Sequence, residues 1–213
     1  MRIGIIGTGM VGKALAAKLV EIGHDVVMGT RNVGQTLARP EKDRATNQTF
    51  AEWHKQNAKV KLGTFQDAAR HGEVVISATS GAASLDPLKQ AGAANLKGKI
   101  LMEVSNPLDF SKGMPPTLSV CNTDSLGEQI QRAFPDVKVV KTLNTTNASM
   151  MINPRKVADG DHTMFVCGND AAAKTAVTGY LKEWFGWKKI RPCATRAAGR
   201  CSMISRNARS RNP

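Results

Sequence analysis

The glycine loop GTGMVG, residues 7–12, constrains the fold of this chain more than any other part of the sequence. It follows the short apolar run RIGII at residues 2–6, and residues 10–23 after it place apolar side chains at helical spacing. A G-x-G-x-x-G loop between a strand and a helix is typical of a βαβ unit that binds a dinucleotide. We therefore predict a strand, a tight turn and a helix in this order, with a pyrophosphate bound at the turn.

Each position of the loop has a separate predicted task. Gly7 permits the tight turn, Gly9 lets a pyrophosphate approach the backbone, and Gly12 lets the helix pack closely on the strand. The N–H groups of Met10 and Val11 then face the phosphates, because the positive end of the helix dipole lies in this first turn. A chance glycine turn is the alternative, and the strand–loop–helix context argues against it.

The rest of the chain alternates short apolar runs with helical segments. Strands are predicted at residues 2–6, 25–29, 60–63, 73–79, 99–105, 137–143, 162–168 and 187–190. Helices are predicted at residues 10–23, 50–57, 65–72, 84–91, 125–134 and 170–185, and loops at 30–48 and 106–124. This order implies an α/β fold: a doubly wound, mostly parallel sheet of the Rossmann type with helices on both faces.

The segment VVMGTRN, residues 26–32, contains no acidic side chain. In NAD-binding chains an Asp or Glu about twenty residues after the glycine loop hydrogen-bonds the ribose 2′-OH. Thr30 and Arg31 stand at that point here, and an arginine can bind a phosphate through two charge-assisted hydrogen bonds. The segment therefore predicts NADP(H) rather than NAD(H). The alternative is that Arg31 is only a solvated surface charge.

Ligands of doubly wound sheets bind beyond the carboxyl ends of the strands. Besides the segments above, this rule selects residues 79–81, 105–107 and 144–147 as candidates. Ser105, Asn144 and Thr145 have polar groups that can orient an amide or a ring carbonyl. Ordinary loop capping is the alternative role for these three side chains.

The net charge of +13 is distributed unevenly. Residues 188–213 contain eight basic side chains and no acidic one, so residues 1–187, with 22 basic and 17 acidic, carry only +5. We therefore predict an NADP-binding domain at 1–187 and a poorly ordered basic tail at 188–213. The tail has no aromatic residue on which a base could stack, so we expect no nucleic-acid partner.

The cysteines and histidines show no pattern of a metal site or a catalytic triad. None of the four cysteines forms a C-x-x-C pair, so reduced thiols and no metal are expected. No segment has the roughly 18 apolar residues of a membrane span, and the first residues do not resemble a signal peptide. We predict a soluble, cytoplasmic protein without a membrane partner.

Several longer segments resemble, in order, the family of NADPH-dependent reductases of the deazaflavin coenzyme F420. They are GTGMVGKALAAKLVEIGHDVVMGTRN, ATSGAAS, EVSNPLDFSKGMPPTLSVCNTDSLGEQIQ, VVKTLNTTNASMMINP and FVCGND, within about residues 1–187. The cytosolic domain of STEAP-type metalloreductases looks like a more distant relative. The GTR, SNP and NT-x-N segments are more specific to this resemblance than the glycine loop, which is general to Rossmann proteins.

The resemblance implies hydride transfer between NADP(H) and a deazaflavin or flavin acceptor that lies on the nicotinamide. It also implies roles for residues at the strand ends: Thr8, Met10 and Val11 at the pyrophosphate, Thr30 and Arg31 at the 2′-phosphate, Thr79 and Ser80 along the cofactor, and Asn144 and Thr145 near the nicotinamide. Such chemistry depends more on alignment of two rings than on a protein base, so catalytic side chains beyond these candidates are not assigned.

Two other functions stay open at this point. One is an NADPH-dependent reductase of flavin or ferric iron, and the other is a non-catalytic NADP(H)-binding sensor. The sensor is favoured by the sequence after residue 187, which departs from the family pattern. The long loop with the MPP segment, residues 114–116, either covers the acceptor or serves as a stiff connection. The physiological acceptor, the direction of the reaction and the formation of a homodimer are left undecided.

Overall fold

The computed structural model describes residues 1–43 and 46–193. Within them, the strands are β1 (Arg2–Ile6), β2 (Asp25–Thr30), β3 (Lys61–Thr64), β4 (Val74–Ser77), β5 (Ile100–Glu103), β6 (Leu108–Asp109), β7 (Thr117–Leu118), β8 (Lys138–Lys141), β9 (Thr163–Gly168) and β10 (Lys189–Pro192). The α-helices are α1 (Met10–Glu21), α2 (Val33–Leu37), α3 (Phe50–Gln56), α4 (Phe65–His71), α5 (Leu85–Ala91), α6 (Ala93–Leu96), α7 (Leu126–Ala133), α8 (Ala148–Ile152) and α9 (Ala171–Phe185).

Eight of these strands form one sheet in the order β10-β9-β8-β5-β4-β1-β2-β3. All neighbours are parallel except β8 and β9, which are antiparallel. The chain winds outward from β1 in both directions, first to β2 and β3 and then to β4, β5 and β8. The predicted fold class, a doubly wound and mostly parallel α/β sheet of the Rossmann type, is therefore confirmed.

Two apolar cores cover the two faces of the sheet. Side chains of α1, α3, α8 and α9 form the core on one face, and those of α4 to α7 form the core on the other. Adjacent residues of β1 alternate between them, since Ile5 packs in the first core and Ile6 in the second. Positions buried on both faces of a sheet favour apolar residues, which explains residues 3–6 of β1, whereas Arg2 at the start of the strand is exposed.

Helix α4 packs very closely on β1 because β1 has a glycine at the contact. A Cβ added to Gly4 would approach the carbonyl oxygen of Ala68 to less than 3.0 Å, a distance that real Cβ atoms essentially never show. The helix begins with a capping box in which the Thr64 side chain accepts from the Asp67 N–H and the Asp67 carboxylate accepts from the Thr64 N–H. The hydrogen bond from the Thr64 hydroxyl is the main reason that the pKa of Asp67 lies below its usual value.

Short elements lie inside segments that were predicted as loops. The expected loop 30–48 contains α2, which starts at Asn32 because the side-chain oxygen of this residue accepts from the N–H of Gln35 at 2.9 Å. The expected loop 106–124 contains the hairpin of β6 and β7. Each of these elements is only two to five residues long, too short to display a helical or alternating pattern.

The last strand extends into the segment that was predicted as a tail. β10 pairs in parallel with β9 from Lys189 to Pro192, so the sheet continues past residue 187. The expectation of poor order concerns mainly residues 194–213. These residues, with Cys201 among them, lie outside the described part of the chain.

In the described part of the chain, no helix combines the length and the apolar character needed to cross a membrane.

We expect Gly4→Ala to lower the free energy of unfolding by about 1–3 kcal/mol or more, because α4 must move away from β1. Gly179→Ala in α9 is the matched control, since a Cβ there meets nothing within 4 Å. The control should raise stability by about 0.5–1 kcal/mol, because glycine disfavours a helix interior. Urea unfolding of the two variants measures both values, and equal effects would contradict the proposed close contact.

Candidate functional site

The glycine loop joins the ends of three strands. Gly7 has φ +120°, a backbone conformation that side chains other than glycine rarely adopt. Its N–H donates to the carbonyl oxygen of Gly29 in β2 at 3.1 Å. A Cβ at Gly7 would also lie 2.6 Å from the carbonyl oxygen of Ala78, directly after β4. The turn after β1 is therefore held between β2 and β4 at the carboxyl edge of the sheet.

The other two glycines of the loop differ from each other in their surroundings. A Cβ at Gly12 would collide with the carbonyl oxygen of Gly7, so this glycine allows α1 to pack against the loop. A Cβ at Gly9 would meet nothing within 4 Å, and Gly9 precedes α1 without any side-chain cap. The first turn of α1, whose N–H groups have no side-chain cap, therefore begins beside open space at Gly9. This arrangement fits a pyrophosphate, which needs both the donors and the room.

Thr8 is half-buried between these glycines and is bonded to a residue that the sequence analysis missed. Its hydroxyl oxygen accepts from the Arg39 guanidinium, with 2.8 Å between Thr8 Oγ1 and Arg39 Nη2. Arg39 follows α2 in a segment predicted as loop, and no local sequence pattern indicates that it reaches the glycine loop.

The two residues predicted at the 2′-phosphate have different environments. The guanidinium of Arg31 is exposed, and within residues 1–43 and 46–193 it makes no hydrogen bond or ion pair. Thr30 is buried, and its hydroxyl shares a hydrogen bond of 2.6 Å with the hydroxyl of Thr36 in α2. The exposed cation is therefore available to a phosphate, whereas the Thr30 side chain links β2 to α2.

The segment after β4 packs tightly on the segment after β5. The hydroxyls of Thr79 and Ser84 lie 2.9 Å apart, and the Ser84 hydroxyl donates to the carbonyl oxygen of Ser80. A Cβ at Gly81 would collide with the backbone of Asn106. Thr79 is half-buried and Ser80 is exposed, so both border the space beyond the strand ends.

Two asparagines connect the loops that follow β5 and β8. The side-chain amide of Asn106 donates to the carbonyl oxygen of Asn144 at 2.7 Å, and that of Asn144 donates to Asn106 Oδ1 at 3.1 Å. Leu143, just before, has φ +63°, an uncommon conformation for a bulky residue and one that clusters at functional sites. Asn144 is buried, whereas Thr145 is half-buried at the surface of this junction.

A buried ion pair supports this junction from below. The Lys141 ammonium donates to Glu103 Oε2 and to the carbonyl oxygen of Ser105, and Glu103 Oε1 accepts from the N–H of Ser105 at 2.7 Å. Glu103 is fully buried and Lys141 nearly so. The pair fixes Ser105, whose own hydroxyl lies 3.4 Å from the carbonyl oxygen of Ser77. Sequence reasoning missed both charged residues because they end strands that otherwise look apolar.

The structure thus brings most of the predicted site residues to one edge. Contacts run from the glycine loop to the segment after β4, from there to Asn106, and from Asn106 to Asn144. Asn147 of the NT-x-N segment instead caps α8, accepting from the Met150 N–H at 3.1 Å.

The histidines take no part in these contacts at the carboxyl edge of the sheet, and each bonds to a backbone group. The pairings are His24 with the N-terminal ammonium, His54 with the carbonyl of Val60, His71 with that of Asp25, and His162 with that of Pro154. Burial, followed by the nearby N-terminal ammonium, lowers the pKa of His24. Among the described residues, no group of three His, Cys, Asp or Glu side chains could hold a metal ion.

Comparisons with known proteins agree with this geometry. The fold and the glycine loop are those of dinucleotide-binding proteins, and the family and close structural neighbour described next place the chain among NADP-dependent oxidoreductases. The model of the family named NADP oxidoreductase coenzyme F420-dependent matches residues 2–107. A proposed F420-dependent NADP reductase from Arthrobacter sp. FB24, solved as a crystal structure, is 51% identical, with a TM-score of 0.85 over 90% of this chain and 84% of that one. The chain belongs to this F420-dependent NADP oxidoreductase family.

Two curated relatives cover different shares of their own length. The F420-dependent NADP reductase of Methanothermobacter marburgensis is 27% identical over 165 residues, which are 76% of this chain and 70% of that protein. Metalloreductase STEAP3 of Rattus norvegicus is 29% identical over 178 residues, 83% of this chain but only 31% of that protein. The metalloreductase is thus about as similar as the Methanothermobacter enzyme and more distant than the Arthrobacter protein.

We expect Arg31→Ala to weaken NADPH binding by about 1.5–3 kcal/mol, the range for a hydrogen bond to a charged group. NADH binding should barely change, because NADH lacks the 2′-phosphate. Titration of the variant and the parent chain with both nucleotides measures the difference. An equal loss for the two nucleotides would refute a 2′-phosphate role for Arg31.

The buried ion pair gives a stability prediction. Lys141→Met leaves the Glu103 carboxylate buried without its partner and should cost about 3–5 kcal/mol. Glu103→Gln combined with Lys141→Met removes both charges and should recover much of this loss. Urea unfolding of the single and double variants tests the coupling; strictly additive losses would show that the two side chains act independently.

Proposed function

We propose that this chain transfers a hydride between NADP(H) and a deazaflavin of the coenzyme F420 type. The main support is the β6–β7 hairpin, which begins at Leu108, two residues after Asn106 of the junction with Asn144. Its tip carries two large apolar side chains in solvent, Phe110 at 56% exposure and Met114 at 78%. Exposed apolar side chains on a hairpin that leads out of this junction suit contact with a flat ring system.

The cofactor would lie along the carboxyl edge of the sheet. NADPH, when bound, supplies a hydride, which the acceptor takes up together with a proton. In our proposal Thr8, Gly9 and the first turn of α1 hold the pyrophosphate, and Arg31 holds the 2′-phosphate. Thr79 and Ser80 border the cofactor between its two ends.

The nicotinamide would lie at the junction of the loops after β5 and β8. Asn106 and Asn144 fix each other there, and the ion pair below fixes Ser105. Thr145, half-buried at the surface of the junction, is the side chain we assign to contact with the ring or its amide. Pre-set groups of this kind align two rings without moving during the reaction.

The proposed hydride transfer does not require a histidine or carboxylate as a general base at the carboxyl edge. Each of the four histidines has a backbone or N-terminal partner, and Glu103 is paired with Lys141. Among the described residues of the junction, we therefore assign no general base. Hydride transfer between two stacked rings needs alignment and exclusion of water, because the cofactors supply the reactive atoms.

A second candidate is an NADPH-dependent reductase of flavin or ferric iron. It is favoured by the match to the rat metalloreductase, which extends over 83% of this chain. The two candidates share the NADP(H) site and differ in the acceptor. Formation of a homodimer and a cytoplasmic location also stay predictions.

An acceptor assay separates the candidates. Purified protein is mixed with NADPH and with coenzyme F420, FMN or a ferric chelate, and the absorbance of both redox partners is followed. Preferred reduction of F420 supports the proposal, and preferred reduction of FMN or iron supports the second candidate. Tight NADPH binding without turnover of any acceptor would reject both in favour of a sensor.

The hairpin gives the assay a specific control. We expect Phe110→Ser combined with Met114→Ser to raise the KM for the acceptor about five- to tenfold, because apolar contact with the ring is lost. The Kd for NADPH should stay the same. Ile22→Ser, an exposed apolar residue at the opposite end of α1 from the glycine loop, is the matched control and should change neither value.

A further inference from the structure

Arg39 is held over the glycine loop by three contacts. Its Nη2 donates to Thr8 Oγ1 at 2.8 Å, and its Nε donates to the carbonyl oxygen of Thr36 at 3.5 Å. The guanidinium carbon lies 5.5 Å from the centre of the Phe50 ring, a cation–π distance. These contacts use two of the five guanidinium N–H groups, and the other three have no partner among the described residues.

The segment behind Arg39 is fastened to α1 by a second buried ion pair. The Lys13 ammonium lies 2.6 Å from Asp43 Oδ2, and both side chains are only about one-tenth exposed, at 10% and 9%. Lys13 belongs to the first full turn of α1, so the pair joins residues 39–43 to the helix whose N-terminus faces Gly9. We call residues 39–43, with this ion pair, the strap.

A cleft lies between the strap and the glycine loop. Its lining includes Thr8, Gly9 and Met10 of the glycine loop and Arg39, Glu41 and Lys42 of the strap. Gly9, where a Cβ would meet nothing within 4 Å, borders this space together with Met10, the first residue of α1. A guanidinium and a helix N-terminus that line the same cleft can both bind one anion there.

We propose that Arg39 binds the diphosphate of the nicotinamide nucleotide, and that the Lys13–Asp43 ion pair positions it. Arg39 then differs from Arg31, which lies directly after β2 where the ribose is expected. Arg31 separates NADPH from NADH, whereas Arg39 binds the part that both nucleotides share. The inference rests on the NADP(H) site and does not depend on the choice of acceptor.

The test compares Arg39→Ala with Arg31→Ala on the full chain, using titrations with NADPH, NADH and ADP. Arg39→Ala should weaken all three ligands by a similar factor of about tenfold or more, because each carries a diphosphate. Arg31→Ala should weaken NADPH alone. Arg39→Lys keeps the charge but loses the paired donors, and it should lose less than Arg39→Ala.

Two results would overturn the assignment. Loss of NADPH binding alone in Arg39→Ala would make Arg39 a second 2′-phosphate residue, and no loss for any ligand would leave it a structural side chain. The thermal midpoint of each variant is measured alongside, so that unfolding is not mistaken for lost affinity. Failure of F420 reduction with intact ADP binding would reject the proposed acceptor but not this site.

The positioning role of the strap needs a separate comparison. Asp43→Asn should weaken ADP several-fold in the parent chain, because it releases the strap from Lys13. In the Arg39→Ala background the same change should cause no further loss. Independent losses that multiply in the double variant would refute a positioning effect through Arg39.

Discussion

Contact between backbone and backbone at the carboxyl edge is the constraint on which the rest of this structure depends. Gly7, Gly12 and Gly81 each bring a main-chain carbonyl so close that a Cβ could not fit. These contacts join the loops after β1, β4 and β5, and the paired amides of Asn106 and Asn144 extend the junction to β8. The site is therefore built largely from main-chain geometry, which leaves side chains such as Arg31 free to meet a ligand.

Buried charge is the second constraint, and it appears twice at this edge. Glu103 with Lys141 and Lys13 with Asp43 are both nearly closed to water. A buried pair contributes little net stability compared with apolar packing, yet it tolerates few alternative arrangements. Both pairs join segments distant in sequence, by 38 residues in one case and 30 in the other. They favour one relative placement of the loops that surround the nucleotide.

The sequence alone predicted the sheet and the glycine loop well, for a physical reason. Strands buried on both faces are continuous apolar runs, and Gly7, Gly9 and Gly12 follow the first of these runs at a diagnostic spacing. The antiparallel placement of β9 was not predictable, because an apolar run does not show its direction. Elements as short as α2 and the β6–β7 hairpin are decided by caps and local pairings.

The side chains that support the site were harder to predict. Nothing in the local sequence pairs Lys141 with Glu103 or brings Arg39 to Thr8, since these contacts exist only after the chain has folded. Thr30 shows the converse: its place at the end of β2 suggested a ligand contact, but its hydroxyl is bonded to that of Thr36 in the interior. Position after a strand indicates proximity to the site, and burial decides whether a side chain is available to a ligand.

Gly9 and Gly12 lie three residues apart in one loop but have different surroundings. Different requirements can therefore preserve a glycine at each position. Any side chain at position 12 would disturb folding, whether or not a nucleotide is ever bound. Position 9 faces open space, so the folded protein by itself would accept other residues there. A lineage with this fold that had lost its cofactor would be free to vary at position 9 but not at position 12. The fold therefore explains the glycine at position 12, whereas the glycine at position 9 is explained by the pyrophosphate that we propose binds there.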